Sequence, residues 1–190
     1  HAHYATHPAL AAWVIHQLTG ITYSITVHAH DIFVDRSMLA TKLKDAAFVV
    51  AISKFNREFL TRHVGEWVTE KIHVVHCGID LQNYPGSNGV GPSEKFRIVS
   101  IGSLQPYKGM KYLIAACAHL RDRGVPFHCT IIGEGEDRPE LEDLIAKHDL
   151  SAHVVLAGSK TQGEVARLLQ EADCYVQPSV ITHTGKMEGI

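Results

Sequence analysis

The stretch Phe96-Arg97-Ile98-Val99-Ser100-Ile101-Gly102-Ser103-Leu104-Gln105-Pro106-Tyr107-Lys108-Gly109-Met110 decides how the chain is read. An apolar run rich in β-branched residues and bounded by turn formers predicts a buried strand. Behind it, Met110, Leu113, Ile114 and Cys117 have helical spacing. Strand, glycine-bearing turn and helix together make the repeating unit of an open parallel sheet. In such a sheet the ligand crevice lies beyond the carboxyl ends of the strands, where a helix amino-terminus offers unpaired N–H groups to an anion. Gly102 lets backbone approach a ligand closely, and Lys108 adds a full positive charge at the same rim. A routine connection with a surface lysine accounts for the same residues, and this stretch alone does not separate the two.

Downstream the alternation continues. A helix is expected over 109–123, a strand over 127–132, the turn Gly133-Glu134-Gly135-Glu136-Asp137, and a helix opened by Pro139. A strand over 153–157 follows, then a capping box at Thr161 and Glu164 with its helix, then a strand over 174–176. Upstream, residues 1–6 read as a loop, and Pro8 opens a helix that ends at Gly20. A strand over 23–27 runs straight into the polar cluster His28-Ala29-His30-Asp31. A short helix then leads to a strand over 47–52, Ser53 as the N-cap of the next helix, and a strand over 72–75. Between Gly78 and Glu94 the apolar period disappears among Asn83, Pro85, Gly86, Ser87, Asn88, Gly89, Gly91, Pro92 and Ser93, which marks a linker. Strands separated by helices on both sides of it predict an α/β chain with parallel sheets rather than a barrel of hairpins.

At 190 residues with a formal net charge of −2, the chain can bury a sizeable core and has no basic block that would recruit nucleic acid. No apolar run approaches the roughly 20 residues of a membrane span. Cys77, Cys117, Cys129 and Cys174 are scattered without a C-x-x-C pair, as expected in a reducing compartment such as the cytoplasm. The chain reads as cut at both ends. Fourteen histidines raise the question of a metal. His1-x-His3 and His28-x-His30 have ligand spacing on a strand, yet no third Asp, Glu or Cys is placed to complete either pair, so no metal is expected.

The order I-G-S-L-x-x-Y-K-G at 101–109, I-I-G-E-G at 131–135, V-V-L-A-G at 154–158, Q-P-S at 177–179 and M-E-G-I at 187–190 resembles the carboxyl-terminal domain of the family 4 retaining glycosyltransferases, which have the GT-B fold. T-V-H-A-H-D at 26–31, V-A-I-S-K-F-N at 50–56 and V-H-C-G-I-D at 75–80 are similar to the second half of that family's amino-terminal domain. The resemblance implies two incomplete Rossmann-like parallel-sheet domains. Residues 1–80 would close the acceptor-side domain, 81–95 would be the linker, and 96–190 would open the nucleotide-sugar domain.

It also implies chemistry, position by position. The family holds a nucleotide diphosphate sugar in the cleft between its domains, with an Arg and a Lys after the first strand of the second domain on the phosphates. Gly102 and Lys108 match, but Ser103 stands at the Arg position, so a hydroxyl or backbone donor would do part of that work. Glu188 resembles the first carboxylate of the family's E-x7-E motif, and Gly189 begins the backbone that approaches sugar and phosphate. His28 matches the histidine facing the donor sugar, with His30 and Asp31 as neighbours able to fix its tautomer. Gly133, Glu134 and Lys160 fall on further donor-side turns. The implied reaction is transfer of a sugar, with retention, to a saccharide or lipid-linked acceptor and without a metal cofactor. Peripheral contact with the inner face of the membrane, through a part of the protein outside this chain, is implied as well. A nucleotide-sugar epimerase of the same architecture and a non-catalytic nucleotide-binding module stand as alternatives.

Overall fold

The structure is a computed structural model and describes residues 1–84 and 94–189. It divides into two compact units, one of His1–Gly78 with Ile181–Ile190 and one of Ile79–Val180. Each unit contains its own four-stranded, all-parallel sheet, and among the described residues no sheet is continuous across the chain.

In the first unit, β1 (Ala2–His3), β2 (Ile25–Val27), β3 (Val49–Ala51) and β4 (Ile72–Val74) lie side by side in sequence order. The expected loop at 1–6 is corrected here. Ala2 and His3 pair with Ile25 and Thr26, and the N–H groups of Ala2 and Tyr4 donate to Ser24 and Thr26 carbonyls, each at 2.9 Å. Two residues are too few to show a period of two, which is why the strand left no pattern. Helix α1 (His7–Thr19) has Pro8 in its first turn and ends at Gly20 in the left-handed conformation. After it come the single turn α2 (His30–Phe33), then α3 (Leu39–Asp45) and α4 (Lys54–Val64). The period-two pattern sends Ile25, Val27, Val49, Ala51 and Ile72 into a core with Ala9, Leu43, Leu60 and Val68. The opposite face presents His1, whose ring nitrogens meet Ser24 Oγ at 2.7 Å and Thr26 Oγ1 at 2.8 Å, with His3, Phe48 and His73 beside it.

The second unit contains β5 (Phe96–Ile101), α5 (Met110–Asp122), β6 (Phe127–Ile132), α6 (Arg138–Lys147), β7 (Val154–Leu156), α7 (Gln162–Glu171) and β8 (Cys174–Tyr175). Both members of the capping box, Thr161 and Glu164, are in place at the start of α7. The strand order is β7-β6-β5-β8. From β5 the sheet grows one way through β6 and β7, then returns to add β8 on the other side. That reversal creates a topological switch point at the carboxyl ends of β5 and β8. Arg97 pins the pair from below, with its N–H and guanidinium on Asp173 at 2.8–3.1 Å.

Of the linker placed at 81–95, residues 85–93 lie outside the described residues, while Leu81–Asn83 form a 3-10 turn capped by Asp80. Residues 181–189, expected within the second domain, pack with the first unit, where Met187 lies against its core.

Candidate functional site

The carboxyl rim of the second sheet is built from glycines. Gly102, Gly133 and Gly158 follow β5, β6 and β7, and their backbones are laced together. The N–H of Gly102 donates to Ile132, that of Gly133 to Gly158, and that of Leu104 to Glu134, each at 2.9 Å. A Cβ on Gly133, at φ +141°, would stand 1.9 Å from the Gly102 carbonyl oxygen. One on Gly135 would stand 2.2 Å from that of Leu104. At the switch point Gly109 has φ +70°, and its Cβ would fall 2.0 Å from the carbonyl oxygen of Pro178, just after β8. The Val180 N–H ties the same loop to the Tyr107 carbonyl at 2.9 Å. At Gly109, Gly133 and Gly135 main chain is therefore packed too closely for a side chain.

Of the sequence-predicted donor residues, the structure brings Gly102 and Lys108 together. A Cβ on Gly102 would meet Lys108 Cδ at 3.3 Å, so the lysine stem lies across the glycine while its ammonium sits 5.2 Å from the Tyr107 ring centre. Ser103 is the next residue along and half-buried. Gly133 belongs to the same rim. Glu134 is engaged locally: Arg138 Nη1 donates to its Oε1 at 2.9 Å, and that oxygen lies 3.1 Å from where Gly158 would carry a Cβ. Lys160 is exposed, with Nζ 3.9 Å from a carboxylate oxygen of Glu164 in the first turn of α7.

In the first unit His28 follows β2 directly and is held from several directions. Its N–H donates to the buried Asp31 carboxylate at 2.9 and 3.2 Å, and its carbonyl accepts from Asn56 Nδ2 at 2.8 Å. The Tyr4 ring lies 4.3 Å from its imidazole at 30°. Burial lowers the His28 pKa, Asp31 pulls it back up, and His3 lowers it further. Asp31 also accepts the Ala5 N–H at 2.7 Å, so one carboxylate fixes the starts of two rim segments. The roles expected of His30 and Asp31 are corrected. Asp31 holds the His28 main chain, His30 is exposed, and the side chain that meets the imidazole is His3, with Nδ1 3.3 Å from His28 Nε2.

Gly189 joins this cluster. Ser53 Oγ donates to its carbonyl at 2.8 Å while accepting the Asn56 N–H at 3.1 Å as the N-cap of α4. A Cβ on Gly189 would lie 3.1 Å from the Ala29 Cβ and from Ile52 Cδ1, so the segment after Glu188 seats beside the residue that follows His28. Glu188 is half-buried in the same unit. The candidate residues thus sort into His28, Glu188 and Gly189 in one unit and Gly102, Ser103, Lys108, Gly133, Glu134 and Lys160 in the other.

Sequence reasoning weighed His3 only as a metal ligand and passed over Tyr4, Asn56 and Arg138. Asn56 is fully buried, with its Oδ1 lacking a partner among the described residues. The i,i+4 spacing of Glu134 and Arg138 was a legible signal. Among the described residues, no three His, Cys, Asp or Glu side chains converge where a metal ion could sit, and no helix is long and apolar enough to cross a membrane.

Two family models match the chain. That described as Glycosyl transferases group 1 covers residues 88–188, and that described as Glycosyltransferase Family 4 covers residues 1–83. The amylovoran biosynthesis glycosyltransferase AmsK of Erwinia amylovora is 38% identical over 121 residues, 64% of this chain and 30% of that protein. Among solved structures, sucrose-phosphate synthase of Thermosynechococcus elongatus superposes with a TM-score of 0.78 at 17% identity, over 93% of this chain and 49% of that one. The pneumococcal O-GlcNAc transferase GtfA, solved with UDP and GlcNAc, gives 0.69 at 16% identity over 94% of this chain and 36% of that one. The chain therefore spans half or less of these proteins. Its fold is α/β of the GT-B type, with two parallel-sheet domains.

Proposed function

The chain belongs to the Glycosyl transferases group 1 family, and from that premise we propose that the whole protein moves a sugar from a nucleoside diphosphate to an acceptor hydroxyl with its anomeric configuration kept. The acceptor is a saccharide or lipid-linked saccharide, and the step belongs to polysaccharide synthesis, as the name of the amylovoran relative suggests. The observation that carries the reading is the switch-point rim, where Lys108 lies across Gly102 beside main chain packed too tightly for side chains. Such a rim suits a diphosphate, because backbone and one ammonium can come close to its oxygens.

In this reading the diphosphate leaves as the bond to the anomeric carbon lengthens, and Lys108 with nearby N–H groups takes up the growing charge without a metal ion. The acceptor oxygen attacks on the same face of an oxocarbenium-like transition state, and its hydroxyl proton passes to the departing phosphate oxygen. Ser103 offers the leaving group a hydroxyl instead of the guanidinium usual in the family. His28 and Glu188 are the first unit's candidates for attending the transferred sugar. The four free cysteines suit a reducing compartment, and the reading places the enzyme in the cytoplasm.

The test is a panel of uridine, guanosine and adenosine diphosphate sugars, screened with the whole protein for thermal stabilisation and then for nucleoside diphosphate release. Lys108→Ala is expected to lower turnover by roughly two orders of magnitude or more, as loss of a group opposing transition-state charge does. Turnover near that of the unaltered protein would remove Lys108 from the site.

A further inference from the structure

The side chain that meets the His28 imidazole is contributed by β1, twenty-five residues earlier in the chain. His3 Nδ1 and His28 Nε2 are 3.3 Å apart, with ring centres at 5.6 Å and planes inclined by 35°. Two ring nitrogens meet at this distance only when one carries a hydrogen and the other a lone pair. His28 has little other freedom. Its N–H is on Asp31, its carbonyl is on Asn56, and Tyr4 covers one side of the ring. Tyr4 is itself held at φ +72°, a conformation non-glycine residues seldom adopt, by the turn between β1 and α1. What the main chain cannot fix is the rotation of the imidazole about its last bond, and that is what His3 fixes.

We propose that His3 is a positioning residue that holds His28 in one ring orientation and one tautomer, so that Nδ1 is the nitrogen His28 presents to the transferred sugar. The proposal rests on the reading of His28 given above. The pair contains one shared hydrogen. With that hydrogen on His3, Nδ1 of His28 is a donor to a sugar hydroxyl; with it on His28, Nδ1 is an acceptor. In both cases Nε2 is engaged by protein. The groups facing the ring are Asp31 from α2, His3 from β1, and the uncharged Tyr4 and Asn56.

Because His3 acts through Nδ1, the choice of replacement discriminates. Asparagine places an amide atom where Nδ1 stands, glutamine places one near Nε2 instead, and alanine places none. With histidine labelled with 15N in the whole protein, the His28 ring nitrogens are expected to report a single tautomer in the unaltered protein and in His3→Asn. In His3→Ala and His3→Gln they are expected to average toward a mixture. Nucleoside diphosphate release from the donor sugar selected by the panel should fall about tenfold to a hundredfold in kcat for His3→Ala and His3→Gln, with KM little changed, and recover in His3→Asn. A single tautomer in His3→Ala, or equal kcat in all three variants, overturns the proposal. His28→Ala separates it from the reading beneath it. If that variant turns over normally, the role of His28 falls while the 15N spectra still decide the pairing. If it is inactive while His3→Ala is not, the positioning role alone falls.

Discussion

Replacing Gly133 with alanine tests whether the rim of the second unit is set by contact between main chains. Gly133 has φ +141°, and a Cβ there would lie 1.9 Å from the Gly102 carbonyl oxygen and 2.8 Å from its carbon. Ordinary contact begins at 3.4 Å, so the two strand ends must part by about 1.5 Å, and backbone cannot rotate out of the way as a side chain can. That movement pulls on the 2.9 Å bond from the Gly102 N–H to the Ile132 carbonyl, beside the last β5–β6 pair, Ile101 with Ile132. Losing one such bond costs about 1 kcal/mol and holding alanine in this region about 1–3 kcal/mol, so about 3 kcal/mol is expected in all.

Two other glycines of the same unit separate these contributions. Gly124 has φ +67° with nothing within 4 Å of its Cβ position, so Gly124→Ala bears the backbone cost alone, about 1 kcal/mol. Gly163 is inside α7 with open space around it, and Gly163→Ala should stabilise by about 0.5–1 kcal/mol. Cys117 and Cys129 are fully buried in this unit and serve as reporters, since a thiol reagent labels them only when the unit opens. Labelling across a urea gradient should rank the midpoints Gly163→Ala, unaltered chain, Gly124→Ala, Gly133→Ala, from highest to lowest. Equal midpoints for Gly133→Ala and Gly124→Ala would show that the two main chains do not press on each other, and the account of the rim would fail with them.

Three further outcomes concern the first unit, whose opening Trp13 and Trp67 report by fluorescence. Ser53→Ala removes the N-cap of α4 and the bond to Gly189 together and should cost about 1–2 kcal/mol in urea, with Ser53→Thr recovering most of it. Asp31→Asn weakens the charged acceptor shared by the Ala5 and His28 N–H groups and should cost about 2 kcal/mol by the same assay, whereas a loss under 0.5 kcal/mol would remove Asp31 as an anchor of this rim. Because burial lowers the His28 pKa below its ordinary 6.5, the unfolded chain takes up that proton more readily than the folded one. The contribution is present above pH 6.5 and lost as the pH falls toward the lower folded value, so acidification should lower the midpoint more in the unaltered chain than in His28→Gln.

What was legible in the sequence was what local pattern determines. The strand at 96–101, the glycine turns after three strands, Pro8 and Gly20 at the ends of α1, the Ser53 cap and the Thr161/Glu164 box are each decided within a few residues of themselves. The fold class follows from their alternation. What escaped was set by pairing across long separations. A strand of two residues exists only because β2 offers it a partner, and that pairing puts His3 beside His28. The seat of Gly189 depends on Ser53, 136 residues away, so its membership of the first unit could not be read from the run of strands before it. Lys160 and Glu134 fall between these cases. Their positions at strand ends were legible, as were Glu164 and Arg138 at the i,i+4 spacing that ties each of them locally.

The two rims use opposite means to the same end, and this bears on how each can vary. In the second unit, Gly109, Gly133 and Gly135 let main chain meet main chain, and the Lys108 stem lies over Gly102. Contacts between main chains do not depend on which side chains surround them, so such a rim keeps its shape while the residues around it change. In the first unit the rim is held by side chains: His3 meets the His28 imidazole, Asp31 and Asn56 hold the His28 main chain, and Ser53 holds the Gly189 carbonyl. Such a surface can be altered one group at a time, at a cost of one hydrogen bond rather than a strand register. Substitution is therefore expected to be tolerated one group at a time around His28, while Gly109, Gly133 and Gly135 resist it because a Cβ at each would strike main chain, a constraint that Gly102, facing side-chain atoms of Lys108 and Met110, does not share.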